Sequence, residues 1–178
     1  MGLITDLVPF LATDADGAAF TDDGSNAVAK TFATKENNTG RFYIPFDDTA
    51  EKGIVVEGKM PQGYDSNQDL KVDIEGWAAD DAVTGGVDLH AALEAITVGS
   101  DTIDMEADES FDTENSGVGS VPATAGKPFK ITVTMTNKDN IEAGDMFRLR
   151  VHRMTTSDDD NLSTNFNLHQ MLLYQETA

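Results

Sequence analysis

Cysteine is absent from the 178-residue chain, which excludes a disulfide framework, a thiolate metal site and a cysteine nucleophile and leaves the redox compartment open. Positive charge is scarce: 12 Lys and Arg stand against 32 Asp and Glu, for a net charge of −20. Nucleic acid is bound by neutralising its phosphates with Lys and Arg, so no nucleic-acid partner is expected. No apolar run approaches the roughly 20 residues of a membrane-spanning helix, and no membrane partner is expected either. Met1–Ala12 is short and has no basic residue before its apolar part, so it does not read as a signal peptide. Aromatic residues make up only 7% of the chain, with a single Trp. Helical periodicity is also missing, since no long stretch repeats its apolar residues every 3.6 positions.

What the chain does have is alternation. Leu70, Val72 and Ile74 interleave with Lys71, Asp73 and Glu75 on the way to Trp77. Val87, Leu89, Ala91 and Leu93 interleave with Asp88, His90, Ala92 and Glu94, and Ile131, Val133 and Met135 with threonines. Phe147, Leu149 and Val151 alternate with Arg148, Arg150 and His152, while Phe166, Leu168, Leu172 and Tyr174 are evenly spaced in the last run. Phe42, Ile44 and Phe46 share a face that Pro45 confines to a sheet edge. The 90–96 segment is rich in helix formers, but its alternation begins at Val87 and favours a strand. Seven or eight short strands, each apolar on one face, bury those faces by pairing two antiparallel sheets. The fold expected is all-β, an antiparallel β-sandwich of jelly-roll type over residues 41–178. Residues 1–40 form an extended, partly irregular N-terminal arm with an apolar tip at Leu3, Ile4, Leu7, Val8, Phe10 and Leu11.

Charge is unevenly placed. No Lys or Arg occurs between Lys71 and Lys127, a stretch holding thirteen acids, seven of them between Asp101 and Glu114. Two segments share parts of an EF-hand loop, Asp14-Ala15-Asp16-Gly17 and Asp65-Ser66-Asn67-Gln68-Asp69. Ala12 stands at the first ligand position of one, and Gly76 where the other needs its closing Glu. These loops, the 101–114 run and Asp158-Asp159-Asp160-Asn161 read as solvated turns. The histidines, His90, His152 and His169, are too far apart to meet within one strand. His90 facing His169 is a pairing that a sandwich allows, but scattered surface histidines are the preferred reading, and no metal or other cofactor is assigned. With no nucleophile elbow, no glycine-rich phosphate loop and too many acids for carboxylate spacing to carry information, no catalytic residue is assigned and enzymatic activity is not expected. Trp77 with Tyr43, Tyr64 and Tyr174 offers material for a sugar-stacking platform, although core filling is the plainer use of such residues. Arg148 and Arg150 lie opposite the apolar face of their strand; internal pairing with Asp or Glu leads, and a subunit interface follows.

Two stretches carry a family resemblance. One is Met60-Pro61-Gln62-Gly63-Tyr64-Asp65 followed by the strand from Leu70 to Ala78. The other runs from Ala143-Gly144-Asp145 through Phe147-Arg148-Leu149-Arg150-Val151-His152-Arg153 to Asp158-Asp159-Asp160-Asn161 and the closing Leu168 to Tyr174. Their order over roughly residues 41–175 resembles small jelly-roll virion proteins of tailed bacteriophages, with Met154 after Arg153 as a departure. The resemblance implies a structural capsid decoration, or cement, protein on the outer surface of the virion. Such proteins are commonly homotrimers, and the major capsid protein would be the partner. Sequence character nominates Leu3, Ile4, Leu7, Val8, Phe10, Leu11, Arg148, Arg150 and Arg153 as partner-binding residues. The alternative is a carbohydrate-binding or calcium-dependent adhesion β-sandwich module.

Overall fold

The structure, a computed structural model, describes residues 2–7, 13–14, 31–32, 42–79, 85–104, 109–124 and 126–175, with side chains from Tyr43 onward. Among the described residues every regular element is a strand: β1 (Gly2–Leu7), β2 (Thr13–Asp14), β3 (Thr31–Phe32), β4 (Phe42–Phe46), β5 (Gly53–Lys59), β6 (Leu70–Ala78), β7 (Gly86–Ile96), β8 (Asn115–Ser120), β9 (Phe129–Met135), β10 (Met146–Arg153) and β11 (Phe166–Gln175). The 90–96 segment is indeed extended, because its apolar alternation continues across the ladder, with Leu93 opposite Leu149 and Ala91 opposite Val151. Matching a buried sheet face outweighs the helix propensity of Ala, Leu and Glu.

The first sheet runs β3-β4-β11-β6-β9, with β1 also on β11, and the second runs β2-β5-β10-β7-β8. All pairings are antiparallel. From Phe42 onward they nest: β4 pairs with β11, β5 with β10, β6 with β9 and β7 with β8. A long hairpin rolled up on itself produces this order, which is the jelly roll expected from the sequence.

The core lies between the sheets. Ile44, Phe46, Leu70, Val72, Ile74, Ile131 and Val133 from the first sheet meet Ile54, Val56, Val87, Leu89, Leu93, Phe147, Leu149 and Val151 from the second, all buried. Each such side chain contributes about 1.5–3 kcal/mol of transfer free energy. At one margin the sheets come closer than bulky side chains permit. A Cβ on Gly117 of β8 would lie 2.6 Å from the Thr132 carbonyl oxygen of β9, and one on Gly119 would strike Ile131. Glycine in β8 is what lets this side of the sandwich close.

The even spacing expected in the last strand does not hold. A register shift between Leu168 and Gln170 marks a β-bulge at His169, and the extra residue reverses the facing of everything after it. Phe166, Leu168, Met171 and Leu173 enter the core, and Leu172 and Tyr174 turn to the outer face. There Tyr174 donates to Asp73 Oδ1 at 3.2 Å. Of the N-terminal apolar residues, Leu3, Ile4 and Leu7 fall on β1, whose backbone pairs with β11; Val8, Phe10 and Leu11 lie outside the described residues. So do Ala15, Asp16 and Gly17 of the first acidic loop.

Arg153 departs furthest from expectation. It is 0% exposed and therefore presents no surface for the partner contact proposed from sequence. Its guanidinium forks onto Asp160, Nε to Oδ2 at 2.8 Å and Nη2 to Oδ1 at 2.7 Å, and Nη1 donates to the Thr164 carbonyl at 2.7 Å. The Asp160 side chain is also buried, 2% exposed, and accepts the backbone N–H of Asp88 at 3.2 Å. The Asp158–Asn161 turn is thus no solvated loop at this position but a clasp on one end of the sandwich. Arg153→Ala leaves a buried carboxylate without its partner, a loss of about 3–5 kcal/mol. Urea denaturation of the variant is expected to show a correspondingly lower midpoint; an unchanged midpoint would contradict this role.

Candidate functional site

Alternation sends every second side chain of each strand to the outside, so each sheet has an outer face on which chemistry can be assembled. On the first sheet that face carries an aromatic cluster. Tyr43 of β4 meets Trp77 of β6 edge-on with ring centroids 5.4 Å apart, and Trp77 meets His169 of β11 at 5.9 Å. All three are half-buried. The bulge in β11 places His169 beside Trp77. The next row on this face is polar, with Glu75 opposite Gln170 on one side and Lys130 on the other. Of the aromatics nominated from sequence, Tyr43 and Trp77 come together. Tyr64 is buried in the core and Tyr174 is tied to Asp73, so neither joins the cluster.

The outer face of the second sheet is covered by the end of the acidic run. Asp112 N–H donates to the Leu93 carbonyl at 2.9 Å, prolonging the β7–β8 ladder, and Ser110 N–H donates to Glu94 Oε1 at 2.7 Å. Phe111 is thereby laid against the arginines of β10, with the guanidinium of Arg150 at 4.6 Å and that of Arg148 at 5.5 Å from its ring centroid. Such cation–π contacts contribute about 0.5–2 kcal/mol each. Arg148 Nε donates to the fully buried Glu94, a bond that raises the Arg148 pKa. Arg150 Nη2 lies 3.3 Å from Glu114 Oε1. Arg148 and Arg150 are thus engaged within the chain, the internal pairing that the sequence favoured.

The same face brings two histidines together. His90 and His152 are direct partners across β7 and β10, with ring centroids 5.5 Å apart. Glu114, just before β8, reaches both: Oε2 lies 3.1 Å from His90 Nδ1 and Oε1 lies 2.9 Å from His152 Nε2. On its other side His90 Nε2 lies 3.3 Å from Asp88 Oδ2. The His90–His169 pairing considered from sequence does not form, since His169 is on the other sheet. Sequence reasoning missed the trio because its members are 24 and 38 residues apart along the chain. The legible signal was that His90 and His152 both occupy outward positions of alternating strands.

Between residues 97–103 with Glu109 and Ser110 on one side and the β9–β10 loop on the other lies an open cleft of about 610 Å³, whose walls include Thr97, Asp101, Glu109, Ser110, Asp139 and Asn140. Asp139 adopts φ 49° and Asn140 φ 52°, left-handed conformations that Asn and Asp tolerate best. Asp139 Oδ2 accepts the Ala95 N–H at 2.8 Å. Burial, followed by the negative charges of Asp112, Glu94 and Asp101, raises the Asp139 pKa above the usual carboxylate value.

No family model and no curated protein matches the chain. Its chain path is similar to solved structures of carbohydrate-binding modules. The CBM22-1–GH10 segment of a Clostridium thermocellum endo-1,4-β-D-xylanase, complexed with xylohexaose, aligns at 10% identity and TM-score 0.49 over 99% of this chain and 29% of that one. The C-terminal CBM6 of LamC, a marine laminarinase from Zobellia galactanivorans, aligns at 11% identity and TM-score 0.45 over 95% and 97%. TmCBM27, a mannan-recognising module, aligns at 12% identity and TM-score 0.42 over 99% of both chains. The neighbours being sugar-binding modules rather than virion proteins, the capsid-decoration reading, with its virion and bacteriophage setting, is corrected here.

Because Asp139 has a raised pKa in the folded chain, its ionised form destabilises the fold, fully so at neutral pH. The penalty fades as pH falls through the folded pKa toward the unfolded value. Asp139→Asn removes the charge, retains an acceptor for Ala95 N–H and suits the left-handed backbone. A higher urea midpoint than wild type at pH 7 is expected, with the gain vanishing under acid conditions that protonate Asp139; a gain that persisted there would point to another cause.

Proposed function

We propose that this chain is a non-catalytic carbohydrate-binding β-sandwich module. The observation that carries the reading is the Tyr43–Trp77–His169 cluster on the outer face of the first sheet, bordered by Glu75, Gln170 and Lys130. A pyranose ring has an apolar C–H face and a rim of hydroxyls. The first packs on an aromatic ring, and the second exchanges hydrogen bonds with carboxylate, amide and ammonium groups. A strand-borne platform needs little rearrangement to receive a sugar, because neighbours in the sheet hold its side chains in place.

The acidity of the chain fits a neutral or cationic polysaccharide better than a polyanionic one, since 32 acids against 12 bases repel sulfated or uronate-rich chains. Retardation in gels containing xylan, galactan, mannan or mixed-linked β-glucan, followed by calorimetry with the matching oligosaccharides, tests the proposal. Wild type is expected to bind at least one of them. Trp77→Ala is expected to weaken that binding about tenfold, roughly 1.4 kcal/mol, without loss of the β-sheet circular dichroism. Absence of binding to every polysaccharide, or full affinity in Trp77→Ala, would overturn it.

A further inference from the structure

We propose that His90, Glu114 and His152 form a binding site for one divalent transition-metal ion of the zinc type. The site lies on the second sheet, opposite the aromatic cluster, and does not depend on the sugar-binding reading.

One donor atom from each of the three residues lies within 4.8 Å of the other two. The Glu114 oxygens stand 3.1 Å from His90 Nδ1 and 2.9 Å from His152 Nε2. Donors held about 2.1 Å from a shared ion stand about 3.0–3.4 Å apart, so the carboxylate and both imidazoles are already close to coordination spacing. Two of the ligands come from directly paired positions on adjacent central strands, which keeps their separation rigid.

The surroundings of His90 argue the same way. Nδ1 faces a Glu114 oxygen and Nε2 faces Asp88 Oδ2 at 3.3 Å, yet a neutral imidazole has one N–H for those two carboxylates. When Nε2–H donates to Asp88, the Nδ1 lone pair points at Glu114, an arrangement that becomes favourable once a cation sits between them. A carboxylate holding the far nitrogen of a ligating histidine is the usual support for such a site. Asp88 is suited to it: its side chain is 6% exposed, and Oδ1 has no hydrogen-bond partner among the described residues. Arg150 also takes Glu114 Oε1 at 3.3 Å, which holds the carboxylate with Oε2 turned to His90 and Oε1 to His152. Two imidazoles and one carboxylate select Zn²⁺, Co²⁺ or Ni²⁺ over Ca²⁺ and Mg²⁺, whose shells are built of oxygen. The side chains of His90, His152 and Glu114 are 19%, 13% and 30% exposed, so solvent can supply a fourth ligand.

The full chain, free of any polyhistidine tag, is titrated with Zn²⁺ by calorimetry and with Co²⁺ by visible absorption. One ion per chain is expected, with the intense Co²⁺ bands of a four-coordinate site and no comparable uptake of Ca²⁺. His90→Gln and His152→Gln are each expected to weaken Zn²⁺ binding at least tenfold, and His169→Gln to leave it unchanged. Imidazole NMR of the wild-type protein provides a readout free of any folding defect, with Zn²⁺ shifting the resonances of His90 and His152 and not those of His169. No stoichiometric uptake, undiminished uptake in His152→Gln, or shifts centred on His169 would each overturn the site. Retention in polysaccharide gels reports on Trp77 and the other sheet, so failure of one proposal is distinguishable from failure of the other.

Discussion

Every strand from β4 to β11 except the glycine-bearing β8 carries bulky apolar side chains on its inward face, and that one-sidedness governs the molecule. A lone sheet of this kind would leave an apolar face in water. Two sheets face to face remove both at once, and nested antiparallel pairing places successive strands so that each finds neighbours. The same constraint sends all charged chemistry outward or to the ends. Arg153 shows how strict it is. Standing at an inward position, it is kept there only because Asp160 and the backbone carbonyls of Leu162 and Thr164 satisfy its guanidinium.

The two outer faces differ in chemistry. The first sheet carries aromatic rings beside a polar row, a surface suited to a ligand that is apolar on one face and hydroxylated around its edge. The second is roofed by the end of the acidic run, with Phe111 against the β10 arginines and Glu114 between two histidines. The acids of this run are therefore not simply a solubilising fringe. Glu114 pairs with Arg150, as Glu94 of β7 does with Arg148, and Asp112 accepts the Asp139 N–H at 2.8 Å, joining the covering segment to the β9–β10 loop. Burial raises the Glu114 pKa, the hydrogen bonds with His90 and His152 and the nearby guanidinium of Arg150 lower it, and the net displacement is downward. Hydrogen bonding and the Arg150 charge prevail over the cost of removing the carboxylate from water.

The regions where sequence reading succeeded and failed separate along physical lines. The strand from Val87 to Leu93 was legible despite its helix-forming residues, because alternation is a local property of the chain. The facing of Met171, Leu173 and Tyr174 was not, since one extra residue at a bulge reverses parity and no composition rule signals it. Arg153 read as one of three arginines on a basic strand, yet it shares the inward parity of Phe147, Leu149 and Val151 rather than the outward parity of Arg148 and Arg150, and the returning acidic turn is what satisfies it there. The capsid reading rested on the order of short motifs, and those motifs are turns and strand ends that many jelly rolls need.

By itself the sequence determined that the chain is all-β, that its strands bury one face, that its surface is acidic and that thiolate chemistry is absent. Each of these follows from residue identity and spacing over a few positions. Tertiary structure alone decided that His90 meets His152 rather than His169, that Tyr43 and Trp77 come together while Tyr64 does not, and that Arg153 is buried. Those outcomes depend on strand register and sheet order, set by contacts between residues tens of positions apart, where cross-strand pairing rather than local preference determines which side chains become neighbours.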